Sequence, residues 1–137
     1  MTARTTAMSA ADVAARAAHA RGFLHAAEIV DQFSDDVADA AAHVVGSLAV
    51  LAGIAAADAI CGHALGRRSA GDNHDQAVVL VKTATTQGPE FARDLRRLLG
   101  AKSNVQYSPR VVTAATSREL MKYARRLVDG MEAVLRG

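Results

Sequence analysis

The residues of this 137-residue chain best suited to chemistry gather between positions 58 and 74, where Asp58, Cys61, His63, Asp72 and His74 surround the arginine pair Arg67 and Arg68. A zinc site needs ligands paired across a turn or on one helix face, such as two histidines three residues apart, and no such pair occurs here. No metal and no cofactor is expected. The run from Gly62 to Gly71 has glycines but lacks both the Gly-Lys-Ser/Thr ending and the preceding strand of a nucleotide loop, so it reads as a turn. Its chemistry would be phosphate binding: Arg67 and Arg68 stand beside the free N–H groups that open the next helix, with His74 alongside.

A second polar stretch, Lys102 to Thr113, holds Lys102, Asn104 and Tyr107 after the arginine-rich segment Arg93, Arg96 and Arg97. Lys102 and Arg97 could attract phosphate while Tyr107 stacks on or bonds to a nucleotide. Lys102 could equally offset the negative end of a helix dipole, and Tyr107 could simply pack. His19, His25 and His43 have no serine, cysteine or carboxylate at triad spacing, so they are expected to be structural. Cys61 is the sole cysteine; it forms no internal disulfide and is expected as a small buried hydrophobe.

Positioning these groups falls to helices. Half of the composition is hydrophobic, mostly Ala with Leu and Val, aromatics are 4% and Trp is absent, which suits close helix packing over a sheet core. Apolar spacing and caps mark five segments. The first runs from about Ser9 to Phe33 with Val13, Ala17, Ala20, Leu24 and Ala27 on one stripe; the second starts after Ser34 and continues to about Leu65. Asp72 or Asn73 caps the third, which stops near Gln87, and Pro89 opens the fourth, weakened at Gly100. Lys102 to Thr113 is expected as a loop or frayed end, and Thr116 with Glu119 as the capping box of the last helix. The fold class is therefore all-α, a single domain over residues 1–137 forming an antiparallel bundle of about five helices.

Read together, AAADAICGHALGRR, GDNHDQAVVL and DLRRLLGAKSNVQYSPRVVTAATSRELMKYARRLV resemble the HEPN family of small helical bundles, over roughly Asp36 to Leu135. The resemblance implies a bundle of four or five helices that forms a homodimer. It also implies association with RNA or a nucleotide, a toxin–antitoxin or defence setting, and a nucleotidyltransferase-type protein partner. Many members cleave RNA through an Arg and a later His with four to six residues between them, near the end of the penultimate helix. Here Lys102 and Tyr107 stand at those places, which makes them the catalytic candidates although a phenol is a poor general base at neutral pH. Arg67 and Arg68 with His74 mimic the motif's spacing, but on the turn between the second and third helices. The other function the residues allow is a non-catalytic dimeric module for protein interaction.

Charge divides the chain. Residues 1–66 carry three Lys or Arg against seven Asp or Glu, a balance of −4, whereas residues 67–137 carry thirteen against seven, a balance of +6. That split can pack the halves together, drive self-association or present a basic face to phosphate. The first twenty residues carry Arg4, Asp12 and Arg16 and no apolar stretch of signal type, so a cytoplasmic location is expected. The uncharged run Val44 to Ala57 is shorter than the ~18–20 residues of a span, and no membrane association is expected.

Overall fold

The computed structural model describes residues 4–37, 40–71, 74–109 and 112–137, with the side chains of 36 and 37 left aside. Five long helices pack against one another: α1 (Ala10–Gln32), α3 (Ala41–Leu65), α4 (His74–Ala84), α5 (Gly88–Gln106) and α6 (Ala114–Arg136). A single turn, α2 (Ser34–Val37), lies between α1 and α3, within the stretch expected as one helix after Ser34. The all-α bundle is therefore as the sequence implies, with one addition. Thr5–Ala7 (β1) and Arg67–Ser69 (β2) form a small antiparallel ribbon, pairing Thr6 with Arg68.

The central element is α3, on which α1, α4, α5 and α6 all pack. Contacts fix the directions. Arg16 near the start of α1 meets Asp58 near the end of α3, and Gly46 and Gly53 of α3 oppose Val105 and Leu98 of α5, so both neighbours run antiparallel to α3. Helices α5 and α6 are likewise antiparallel, with Phe91 against Gly130 and Arg97 against Tyr123. The small residues of α3 explain the closeness: a Cβ at Gly53 would overlap Leu98, and one at Gly46 would lie 2.7 Å from Val105 Cγ1. Each glycine costs a helix interior ~1 kcal/mol, offset here by burying Leu98 and Val105 against its bare backbone.

α3 is also long and apolar enough to cross a membrane, which the shorter run considered above is not. Two thirds of its most apolar window, 67%, is buried inside the bundle, so its neighbours supply the apolar surroundings that a span would take from lipid.

Local signals decide the ends. Ser9 caps α1 by accepting from Asp12 N–H at 3.1 Å while Asp12 accepts from Ser9 N–H at 2.9 Å, a complete capping box. Those bonds hold the Asp12 carboxyl below its ordinary value. The caps expected at Asp72 or Asn73 lie outside the described residues. Two other expectations are corrected. Helix α5 passes through Gly100 to Gln106, because Val105 is buried against α3 and its carbonyl accepts from Ser47 Oγ at 3.0 Å. Helix α6 begins earlier than the Thr116–Glu119 pattern suggests: Thr113 is the N-cap, accepting from Thr116 N–H at 3.1 Å, and Glu119 instead accepts from the Tyr123 hydroxyl at 2.7 Å.

Candidate functional site

The ribbon places Arg68 and Ser69 beside α3 and the first residue of α4, His74. Together with Arg16 and Asp58 they line the polar side of a cleft of about 200 Å³. Ile54 of α3 and Leu95 and Leu99 of α5 supply apolar walls. Arg68 and Arg16 also line an adjoining hollow toward Thr6 and Asp12, and His74 and Leu99 line a third toward Arg96 and Gly100. Arg16 and Arg68 thus stand between the first two hollows, and His74 and Leu99 between the first and the third.

The ion pair at the base of the cleft holds Arg16 Nη2 at 3.0 Å and Nε at 3.1 Å from Asp58 Oδ2. Burial nonetheless raises the Asp58 carboxyl above its ordinary value, because desolvation outweighs the attraction of Arg16 and the weaker attraction of Arg68. Arg68 Nη1 donates to the Ser69 carbonyl at 3.2 Å. The Ser69 hydroxyl is buried without a hydrogen-bond partner. Lys102 Nζ lies 3.2 Å from His74 Nε2, a contact in which the ammonium donates to an unprotonated imidazole nitrogen. The arrangement gathers cationic donors around a partly apolar recess, with one carboxylate as acceptor.

Of the residues singled out from sequence, Arg68 and His74 line the cleft, and Lys102 reaches His74 from α5 without lining it. The others are not with them. Arg67 is exposed on β2, Asn104 is exposed on α5, and Tyr107 is 75% exposed at the end of α5. Arg97 points to α6, donating to the Tyr123 hydroxyl at 2.8 Å with its guanidinium 5.1 Å from that ring's centre. Arg97 and Lys102 are five positions apart, ~140° around a helix, so a shared groove with Tyr107 does not form.

The sequence reading passed over Arg16 and Ser69, and considered Asp58 only as a metal ligand. The one available signal was Asp58, a lone carboxylate in the apolar run of α3. Among the described residues no group of three His, Cys, Asp or Glu could hold a metal ion. Cys61 is buried and its thiol is pushed up to about 12 by desolvation and the nearby Asp58, so it is no nucleophile at neutral pH. His43 accepts from the Val112 N–H at 3.3 Å and His19 contacts Arg16 at 3.2 Å, which gives both local structural partners.

No protein-family model matches the chain, and comparison with curated proteins and with solved structures returned no match either.

Proposed function

We propose that this chain is a HEPN-like module associated with nucleic acid or nucleotides, whose phosphate contact is made by Arg68, His74 and Lys102. The observation that carries the reading is the contact of Lys102 on α5 with His74 on α4, while His74 and Arg68 of β2 line one cleft. Guanidinium and ammonium groups around a recess favour phosphate, and Arg96 on the adjoining hollow extends the attraction along a strand. The module acts in the cytoplasm as a homodimer. Support for pairing comes from apolar side chains left open: Val44 and Leu51, seven positions apart on one face of α3, are 39% and 37% exposed, and Phe33 at the end of α1 is 55% exposed.

The test is binding of single-stranded RNA as a function of salt. Lys102→Ala weakens binding and lowers the slope of log affinity against log salt by about 1, and Arg97→Ala leaves both unchanged. Unaltered binding in Lys102→Ala overturns the assignment. Cleavage is read in the same samples. Any cutting depends on His74, whose imidazole accompanies Lys102, and survives Tyr107→Phe.

A further inference from the structure

We propose that the cleft is a base pocket selective for guanine, receiving the base of the nucleotide whose phosphate lies on Arg68, His74 and Lys102; the inference rests on the phosphate reading above. The pocket is asymmetric in its hydrogen-bonding demands. Both Arg16 contacts fall on Asp58 Oδ2, so Oδ1 takes no bond from Arg16, and Asp58 lines the cleft. Arg68 spends one N–H on the Ser69 carbonyl and keeps its other donors.

A ligand that satisfies this wall must offer N–H donors to a carboxylate and, next to them, an acceptor to a guanidinium. Guanine carries N1–H and an N2 amino group beside its O6 carbonyl, with N7 as a further acceptor. Adenine meets the carboxylate with its N6 amino group alone and turns the lone pair of N1 toward it. Pyrimidines lack the second ring that would fill the space between Ile54, Leu95 and Leu99. The volume of about 200 Å³ admits one bicyclic base between these walls. Selectivity arises because the wrong base leaves buried polar groups unpaired, which costs more than the right base gains. The desolvation that raises the Asp58 carboxyl belongs to the same picture: the group is held out of water and is completed by a ligand.

Calorimetric titration of the full chain with guanosine 5′-monophosphate, adenosine 5′-monophosphate, guanosine, adenosine and ribose 5-phosphate tests this. The expected result is at least about tenfold tighter binding of the guanine nucleotide than of the adenine nucleotide, with the same preference between the two nucleosides. Asp58→Asn abolishes the preference and leaves ribose 5-phosphate affinity unchanged. Because that variant also disturbs Arg16, Ala77→Leu serves as the second: it fills the cleft without touching a charge, keeps the melting temperature, and weakens the guanine nucleotide at least about tenfold. Equal affinity for the two nucleotides, or parental guanine binding in either variant, overturns the base pocket. Loss of ribose 5-phosphate binding in Arg68→Ala and Lys102→Ala upholds the phosphate reading even then. Failure of ribose 5-phosphate to bind the parent chain overturns the phosphate reading, while the nucleoside preference reports on the pocket separately.

Discussion

On the α6 side of α5, Arg97 donates to the Tyr123 hydroxyl, that hydroxyl donates to Glu119, and Arg126 lies 5.9 Å from the same ring while reaching Asp94 at 3.5 Å. On the α4 side, Arg68 keeps spare donors, Asp58 keeps a spare oxygen and Ser69 has a buried hydroxyl with no partner. In the first cluster the Tyr123 hydroxyl both accepts and donates within the chain, whereas in the second the Ser69 hydroxyl does neither. A buried polar group without a partner carries a free-energy cost, so the two hydroxyls differ in what their removal does.

The largest expected effect tests whether the α6 side is structural. Tyr123→Ala removes a buried ring together with both of its hydrogen bonds and lowers stability by about 3–5 kcal/mol, read from urea denaturation, while the folded fraction binds nucleotide as before. A loss of binding without a loss of stability would erase the contrast. A finer pair follows. Tyr123→Phe costs about 1 kcal/mol because Arg97 and Glu119 lose a partner, whereas Ser69→Ala is neutral or stabilising by up to about 1 kcal/mol because the hydroxyl it removes had none. Opposite signs are the point of the comparison, and destabilisation by both changes would break it.

The smallest effect is in pH. The hydrogen bond from Tyr123, assisted by Lys122, lowers the Glu119 carboxyl, so its contribution to stability is present above the ordinary carboxylate value and is lost as pH falls through the depressed one. Asp58 is shifted the other way by burial; its contribution is complete below the ordinary value and is lost as pH rises through the raised one. Melting temperatures followed across the acid range therefore lose part of their low-pH decline in Glu119→Gln, the part set by Asp12 remaining, and lose their decline on raising pH in Asp58→Asn. Identical profiles in parent and variants would refute the assignment.

The helices were legible because their causes are local. Ser9 with Asp12, Pro89 in a first turn and the stripe Leu120, Ala124, Leu127 and Met131 each act within a few residues. What escaped depends on distance. Helix α5 outlasts Gly100 because of Ser47, whose hydroxyl reaches a carbonyl 58 positions away, and no pattern within α5 announces that. The same holds for the cleft: Arg16 and Asp58 are 42 positions apart, and Lys102 and His74 are 28 apart. A spacing rule confined to one segment paired Lys102 with Tyr107, whereas the fold pairs it with an imidazole on another helix. Glu119 misled for a related reason, since a Thr-x-x-Glu pattern competes with a nearer cap at Thr113 and with a tyrosine one helical turn on.

The strand carrying Arg68 is held in place by residues near the beginning of the chain: Thr5 to Ala7 pair with it, Met8 N–H bonds the Gly66 carbonyl at 2.9 Å, and Ala70 N–H bonds the Arg4 carbonyl at 3.0 Å. Deleting Thr5 to Ala7 would spare every long helix yet leave one wall of the recess without its splint. The shape of the recess thus depends on an edge strand that lies outside the helical core, and on the proposed reading that deletion loosens phosphate and base together.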